Sequence, residues 1–156
     1  MNEKKLAGKV ALITGGARGL GRGYTLRLAG LGADIAIIDR NLKAAEVYEF
    51  EMKQMTAPTV MDECKALGVR AMGLEVDLTD RSATEKAVAD IVDKMGRIDI
   101  LVNCAGIGTK PTPLEDTAEE EWDRVMDVNC KGTFLTIQAI TPHMKENKSG
   151  RIILIG

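Results

Sequence analysis

Short, continuous apolar runs alternate along the chain with longer stretches in which apolar residues recur at helical spacing. The runs are Val10-Ala11-Leu12-Ile13, Ile35-Ala36-Ile37-Ile38, a third centred on Met72 to Val76, Ile98 to Val102, and Ile152 to Ile155. Because they are largely continuous in apolar residues, interrupted only by Glu75 and Asp99, and not apolar at alternate positions, they predict strands covered on both faces, as in a parallel sheet. Val88, Ile91, Val92 and Met95 follow helical spacing in a segment opened by Ser82-x-x-Glu85 and closed by Gly96, which reads as a capping box and a helix stop. A second capping box, Thr117-x-x-Glu120, opens a long helix over about Ala118 to Lys145. Its apolar face begins with Trp122, Val125 and Met126 and continues through Phe134, Ile137 and Ile140 until Pro142 kinks or ends it. The predicted order is β-α-β-α-β-α-β-α-β, an α/β fold with a doubly wound parallel sheet. The segment from Leu42 to Leu67 exceeds one crossover helix, and Thr56-Ala57-Pro58 divides it, so an insertion with two short helices is expected there.

Composition narrows this picture. A chain of 156 residues is the size of one domain, and 45% apolar with 28% charged residues is ordinary for a globular protein. Twenty-one basic against 23 acidic residues give a net charge of -2, which offers no broad basic field, so neither nucleic acid nor a membrane surface is an expected partner. The stretch Met1 to Leu6 is charged and lacks the apolar core of a leader, and the chain has no run long enough to span a bilayer, so a cytoplasmic location is expected. The three cysteines, Cys64, Cys104 and Cys130, are odd in number and widely spaced. They predict reduced thiols, two of them in the core, and no metal site.

The candidate chemistry begins directly after the first strand, at Thr14-Gly15-Gly16-Ala17-Arg18-Gly19-Leu20-Gly21. A pyrophosphate binds against backbone N–H groups at a helix N-terminus, where partial positive charge lies and side chains would obstruct. Gly15 would permit the sharp turn, Gly19 the approach of the phosphates, and Gly21 close packing of a helix starting near Leu20 or Gly21. Such glycines also occur in turns that merely pack tightly; position after the first strand favours the dinucleotide reading.

The second strand ends in Asp39, where a carboxylate can accept from the adenosine ribose hydroxyls and repel a 2′-phosphate. That favours NAD over NADP. Arg18 in the loop and Arg40 beside Asp39 pull the other way, since guanidinium groups there can receive a phosphate. The insertion over 42–67 is either a solvated elaboration or part of the cofactor's enclosure.

With these residues in place, the chain resembles the short-chain dehydrogenase/reductase family over essentially its whole length. The Gly-x-x-x-Gly-x-Gly spacing at Gly15, Gly19 and Gly21 is the family's form of the loop. Asp77-Leu78 is similar to the family's Asp-plus-apolar pair against the adenine, and Asn103-Cys104-Ala105-Gly106 to its Asn-Asn-Ala-Gly motif, with Cys104 in place of the second Asn. The resemblance implies that Asn103 steadies the sheet and that Ala105 and Gly106 lie beside the cofactor. Asn129, with Gly132 beyond, resembles the family's Asn-x-x-Gly site. Its positions relative to Val125 and Met126 turn its amide toward the apolar side of the helix. It is either a core amide satisfied by backbone or, as the resemblance implies, a catalytic Asn whose carbonyl orders a water in a proton relay.

The resemblance further implies a Rossmann-like domain over 1–156, truncated after the fifth strand, and a homo-oligomer associating through the long helix, although Glu119, Glu120, Asp123 and Arg124 would equally suit a solvated face. It implies hydride transfer between a nicotinamide and an alcohol or ketone, with a Ser and a Tyr-x-x-x-Lys pair at the reacting oxygen. A phenol of pKa about 10 is a poor base at neutral pH unless a cation stabilises the phenolate. Only Tyr24 and Tyr48 are present, followed four residues on by Leu28 and Met52, and neither Ser82 nor Ser149 stands where the family's Ser belongs. The chain is therefore expected to be the cofactor-binding part of a longer enzyme, inactive alone. The alternatives are a non-catalytic dinucleotide-binding module and a methyltransferase or other nucleotide-binding α/β domain; the latter does not account for Asn103 to Gly106 together with Asn129. Replacing Asp39 by Ala should weaken NAD binding more than NADP binding in calorimetric titrations, and equal losses for both would remove Asp39 as the discriminating group.

Overall fold

The structure, a computed structural model, describes residues 4–156; Met1 to Glu3, part of the stretch read for a leader, lie outside the described residues. Five parallel strands form one sheet: β1 (Val10–Thr14), β2 (Asp34–Asp39), β3 (Ala71–Glu75), β4 (Ile100–Asn103) and β5 (Arg151–Leu154), in the spatial order β3-β2-β1-β4-β5. Chain order thus reverses between β1 and β4, and in a doubly wound sheet the crevice at the carboxyl ends of such a pair is where a ligand sits.

The apolar runs behave as expected at the centre and differently at the edge. Every residue of β1 is buried, and alternate side chains feed two separate cores. Val10 and Leu12 join Ile38, Val88, Ile91, Leu101 and Ile140 on one face, whereas Ala11 and Ile13 join Ile35, Ile37, Val60, Cys64 and Val102 on the other. Helices α1 (Gly19–Gly30) and α3 (Val60–Ala66) cover the second face; α4 (Arg81–Met95) and α6 (Gly132–Glu146) cover the first. β5 is expected to be covered on both faces, yet Ile152, Ile153 and Leu154 are exposed, because among the described residues its extensive contact is with β4 and no helix packs broadly over its faces.

Both predicted capping boxes are displaced. Asp80, not Ser82, caps α4, its carboxylate accepting from Ala83 N at 3.0 Å, while Gly96 closes the helix at φ 87° as expected. At α5 (Glu119–Met126), Thr117 donates its hydroxyl to Pro113 O and the cap residue is Ala118, without a side-chain bond. Nor does α5 bury its apolar stripe: Trp122 is 62% exposed, and none of the helix is buried. One π turn, Asp127–Lys131, joins α5 to α6, which runs through Pro142 without ending there. Burial of that long helical run falls on Leu135, Thr136, Ile140 and Met144, where α6 packs on α4. Of the cysteines only Cys64 is buried; Cys104 is half-buried and Cys130 exposed, so two core thiols was an overestimate. Burial, with the Glu63 charge added, pushes the Cys64 thiol up to about 12.

The insertion contains a 3-10 turn (Ala44–Val47), a single helical turn α2 (Glu49–Met52), and α3, with the break at 53–59 as the Thr-Ala-Pro sequence predicted. It is fastened to α1 by Arg22, whose Nε and Nη2 donate to the two Glu63 oxygens at 2.8 and 2.6 Å and whose Nη2 also donates to Gln54 O at 3.0 Å. Burial alone would push the Glu63 carboxyl up, but the bonds from Arg22 and from the Thr56 N–H and hydroxyl outweigh it and hold it below the usual range. A carboxylate lowered on folding stabilises the fold above its unfolded pKa and loses that contribution as pH falls through the folded value. Arg22→Ala would leave Glu63 buried without its cation, and urea unfolding at neutral pH should report a loss of about 3 kcal/mol, shrinking toward acid pH.

Candidate dinucleotide site

At the carboxyl end of β1 the chain turns through Gly15 at φ 65° and enters α1 at Gly19, φ 54°. Gly15 donates its N–H to Ile38 O at 2.8 Å, which ties the turn to β2. A Cβ on Gly15 would lie 2.8 Å from Ala105 Cα, so the loop and the turn after β4 can meet only because this residue is glycine. A Cβ on Gly21 would run into the Gly15 carbonyl; the close approach that Gly21 permits is therefore between α1 and its own loop, more than between α1 and the sheet. Around Gly19 there is open space, α1 has no side-chain cap and no acidic residue in its first turn, and Leu20 stands 67% exposed beside it. Free N–H groups at an uncapped N-terminus, with room in front of them, are what a pyrophosphate requires.

Asp39 closes the adjoining side. Its Oδ2 accepts from Ala17 N and its Oδ1 from Asn41 N, both at 3.1 Å, which holds the carboxylate against the loop at the end of β2. Arg40 is exposed; Arg18 instead lies with Cζ 4.0 Å from the centroid of the Tyr48 ring and Nε 3.9 Å from Glu51 Oε1. Asp77 receives the Thr79 N–H and hydroxyl on Oδ1 at 2.9 and 2.7 Å. Those bonds, with the charge of Arg40, hold its carboxyl below the usual range. Leu78 is buried in the core, against Gly132 of α6.

A hydrogen-bond chain fixes the wall opposite the loop. Thr14 Oγ1 accepts from Cys104 N and Ala105 N at 3.1 and 3.2 Å and donates to Asn103 Oδ1 at 3.3 Å. Asn103 Nδ2 donates to Thr133 Oγ1 at 2.8 Å, and Thr133 donates to the Asn129 carbonyl at 2.6 Å. The Asn129 amide faces the turn after Gly106, accepting from Ile107 N at 2.9 Å and donating to Ile107 O at 3.0 Å. Both ends of the side chain are thus engaged by backbone, while its main-chain carbonyl lies in the π turn with Thr133 as donor.

The loop glycines, Asp39, Ala105, Gly106 and Asn129 therefore meet at one end of the sheet, whereas Leu78 turns into the core and Arg18 toward the insertion. Thr14, Thr133 and Gly16 belong to the same geometry but carry no motif of their own. A Cβ on Gly16 would lie 3.0 Å from Ile37 Cγ2 and 3.1 Å from Thr25 Oγ1. The one available signal was a polar residue, Thr14, ending an otherwise apolar and buried strand. Among the described residues no cluster of three or more His, Cys, Asp or Glu is placed to hold a metal ion.

A parallel sheet with a glycine-lined, uncapped helix N-terminus at its switch point defines a dinucleotide-binding α/β protein. More narrowly, the chain belongs to the short-chain dehydrogenase family, whose description "short chain dehydrogenase" matches residues 9–156. It is 43% identical over 155 residues to cyclohexanol dehydrogenase of Rhodococcus sp. (strain TK6), covering 97% of this chain and 57% of that protein. Among solved structures it is similar to an NAD+-bound xylitol dehydrogenase, with TM-score 0.84, 31% identity and coverage of 96% of this chain and 53% of that one. A metagenomic short-chain oxidoreductase in complex with NADP matches with TM-score 0.82 and 32% identity, covering 97% of this chain and 63% of that one. The chain thus spans about half the length of the curated relatives it matches.

Asn129→Ala would leave the Ile107 N–H and carbonyl unpaired, and hydrogen exchange at the Ile107 amide should quicken by about tenfold or more, the equivalent of one net hydrogen bond of roughly 1–2 kcal/mol. Unchanged exchange would mean that the turn is held without Asn129.

Proposed function

We propose that this chain is the cofactor-binding part of an NAD-dependent dehydrogenase of the short-chain type, acting between an alcohol and a ketone. The observation that carries the reading is the meeting of an uncapped helix N-terminus, the Ala105-Gly106 turn and the Asp39 carboxylate at one switch point. The first supplies N–H donors for a pyrophosphate, the second a backbone wall that admits a flat ring, and the third an acceptor for ribose hydroxyls. When bound, the nicotinamide supplies the hydride acceptor or donor.

The residues of this chain position that ring and keep its surroundings fixed. Thr14 and Asn103 lock the turn after β4 against β1 through three hydrogen bonds. Asn129 holds Ile107 and so sets the course of the chain leaving the site. Its main-chain carbonyl, in the π turn and accepting from the Thr133 hydroxyl, would offer its second lone pair to a water of a proton relay. The acid/base pair itself, a Tyr with its Lys, belongs to the reading of the longer polypeptide, because neither Tyr24 nor Tyr48 is followed four residues on by a Lys.

A homo-oligomer is part of the same reading, supported by Trp122 and Phe134, large apolar side chains exposed on the α5–α6 run. So is a cytoplasmic location, in keeping with three cysteines that are all free. No nucleic acid or membrane partner is proposed; among the described residues no helix is long and apolar enough to cross a membrane. The test is to incubate the natural full-length polypeptide with NAD+ and a panel of secondary alcohols and to follow NADH absorbance. Turnover with any of them supports the dehydrogenase reading; NADH binding without turnover would make this a dinucleotide-binding module instead.

A further inference from the structure

The NAD-bound and NADP-bound relatives share this backbone, so the choice between the two cofactors rests on local side chains. In the sequence Asp39 and Arg18 oppose one another: a carboxylate repels a 2′-phosphate, and a guanidinium on the glycine loop attracts one. The structure shows where that guanidinium goes. Its face lies over the Tyr48 ring at 4.0 Å and its Nε is 3.9 Å from Glu51 Oε1, and both partners belong to the segment between β2 and β3. The stack occupies the face of the guanidinium and the Glu51 carboxylate lies beside its Nε, so Arg18 is drawn toward the insertion and part of its charge is already offset there.

Glu51 is placed to hold this arrangement firmly. The residue is 8% exposed, its Oε2 is buried with no hydrogen-bond partner among the described residues, and its charge is therefore little screened by water. The neighbouring cation Arg22 is already bonded to both oxygens of Glu63. Around the end of the loop, three cations, Arg18, Arg22 and Arg40, thus stand among three carboxylates, Asp39, Glu51 and Glu63, and of these cations Arg18 and Arg22 are paired within the protein. A 2′-phosphate approaching Arg18 would meet the Glu51 carboxylate beside it.

We infer that Glu51 and Tyr48 tune which dinucleotide this site accepts, holding Arg18 in an ion pair and a stacked contact with which a 2′-phosphate must compete. The inference rests on the proposed reading that the glycine loop binds a nicotinamide dinucleotide. Asp39 then acts on the ribose directly, whereas Glu51 acts through Arg18.

Calorimetric titration of the natural full-length polypeptide with NAD+ and with NADP+ tests this by binding alone, without reference to turnover. Glu51→Gln, nearly isosteric and outside the Arg22–Glu63 clamp, should tighten NADP+ binding by about tenfold while NAD+ affinity changes by less than about threefold, the scale expected when one close charge is removed. Tyr48→Leu, which frees the face of Arg18 and leaves the carboxylate, should move the ratio in the same direction by less. Adding Arg18→Ala to Glu51→Gln should abolish the gain. An unchanged ratio in both single variants, or a gain that survives Arg18→Ala, overturns the inference while leaving the proposed function intact. A wild-type protein that binds neither cofactor overturns the function and the inference together.

Discussion

Where β1 and β4 end, two turns of the chain cross in van der Waals contact, Gly15 against Ala105, and the Thr14 hydroxyl bonds the N–H groups of Cys104 and Ala105 across the gap. Just beyond the end of a parallel strand the backbone N–H groups have no ladder partner, so some other acceptor must take them. A single hydroxyl that accepts twice and donates once does this here, and it leaves the crevice between the turns lined by backbone. The site depends on that contact: with a side chain at Gly15 the turns would be driven apart, and α1 would no longer aim its free N–H groups at the crevice.

Rigidity spreads outward from this point through directional bonds more than through packing. Asn103 carries the constraint to Thr133, Thr133 to the Asn129 carbonyl, and the Asn129 amide back to Ile107, so the π turn between α5 and α6 is registered to the end of β4. Buried or half-buried polar groups in such a chain hold one another in place, since each would otherwise be left unpaired in a medium poorer than water. Beneath it, the two apolar cores either side of β1 and β2 fix the height of the strand ends.

The insertion packs beside the glycine loop. Arg22 and Glu63 bind it to the first helix, which lets Tyr48 and Glu51 reach a loop more than two dozen residues earlier in the chain. Charge near the loop is thereby set by residues with no place in the glycine motif. Exposed large apolar residues occur beside the loop and in the insertion, at Leu20, Phe50 and Met52, as well as on α5, on α6 and along β5.

Much of this was legible in the order of residues, and for identifiable reasons. Continuous apolar runs fix parallel strands because a buried strand has no polar face, and the glycines at 15, 19 and 21 mark the loop because backbone there needs positive φ or contact distances that a Cβ forbids. What fails in the sequence is anything settled by distant partners. Ser82 and Thr117 fit a capping pattern, but Asp80 and Ala118 hold the cap positions because loop geometry places the helix starts there. Trp122 and Phe134 have the spacing of a buried stripe yet lie exposed, since periodicity shows which side of a helix is apolar and not whether anything covers it. The sequence by itself determined the strands, the glycine loop and the acidic end of β2, all local consequences of backbone sterics and hydrophobicity. Only the tertiary structure decided that Arg18 turns to Tyr48 and Glu51 and that Thr14 is bonded to the turn after β4, because those contacts join residues about 30 and 90 positions apart and arise only when the sheet brings them together.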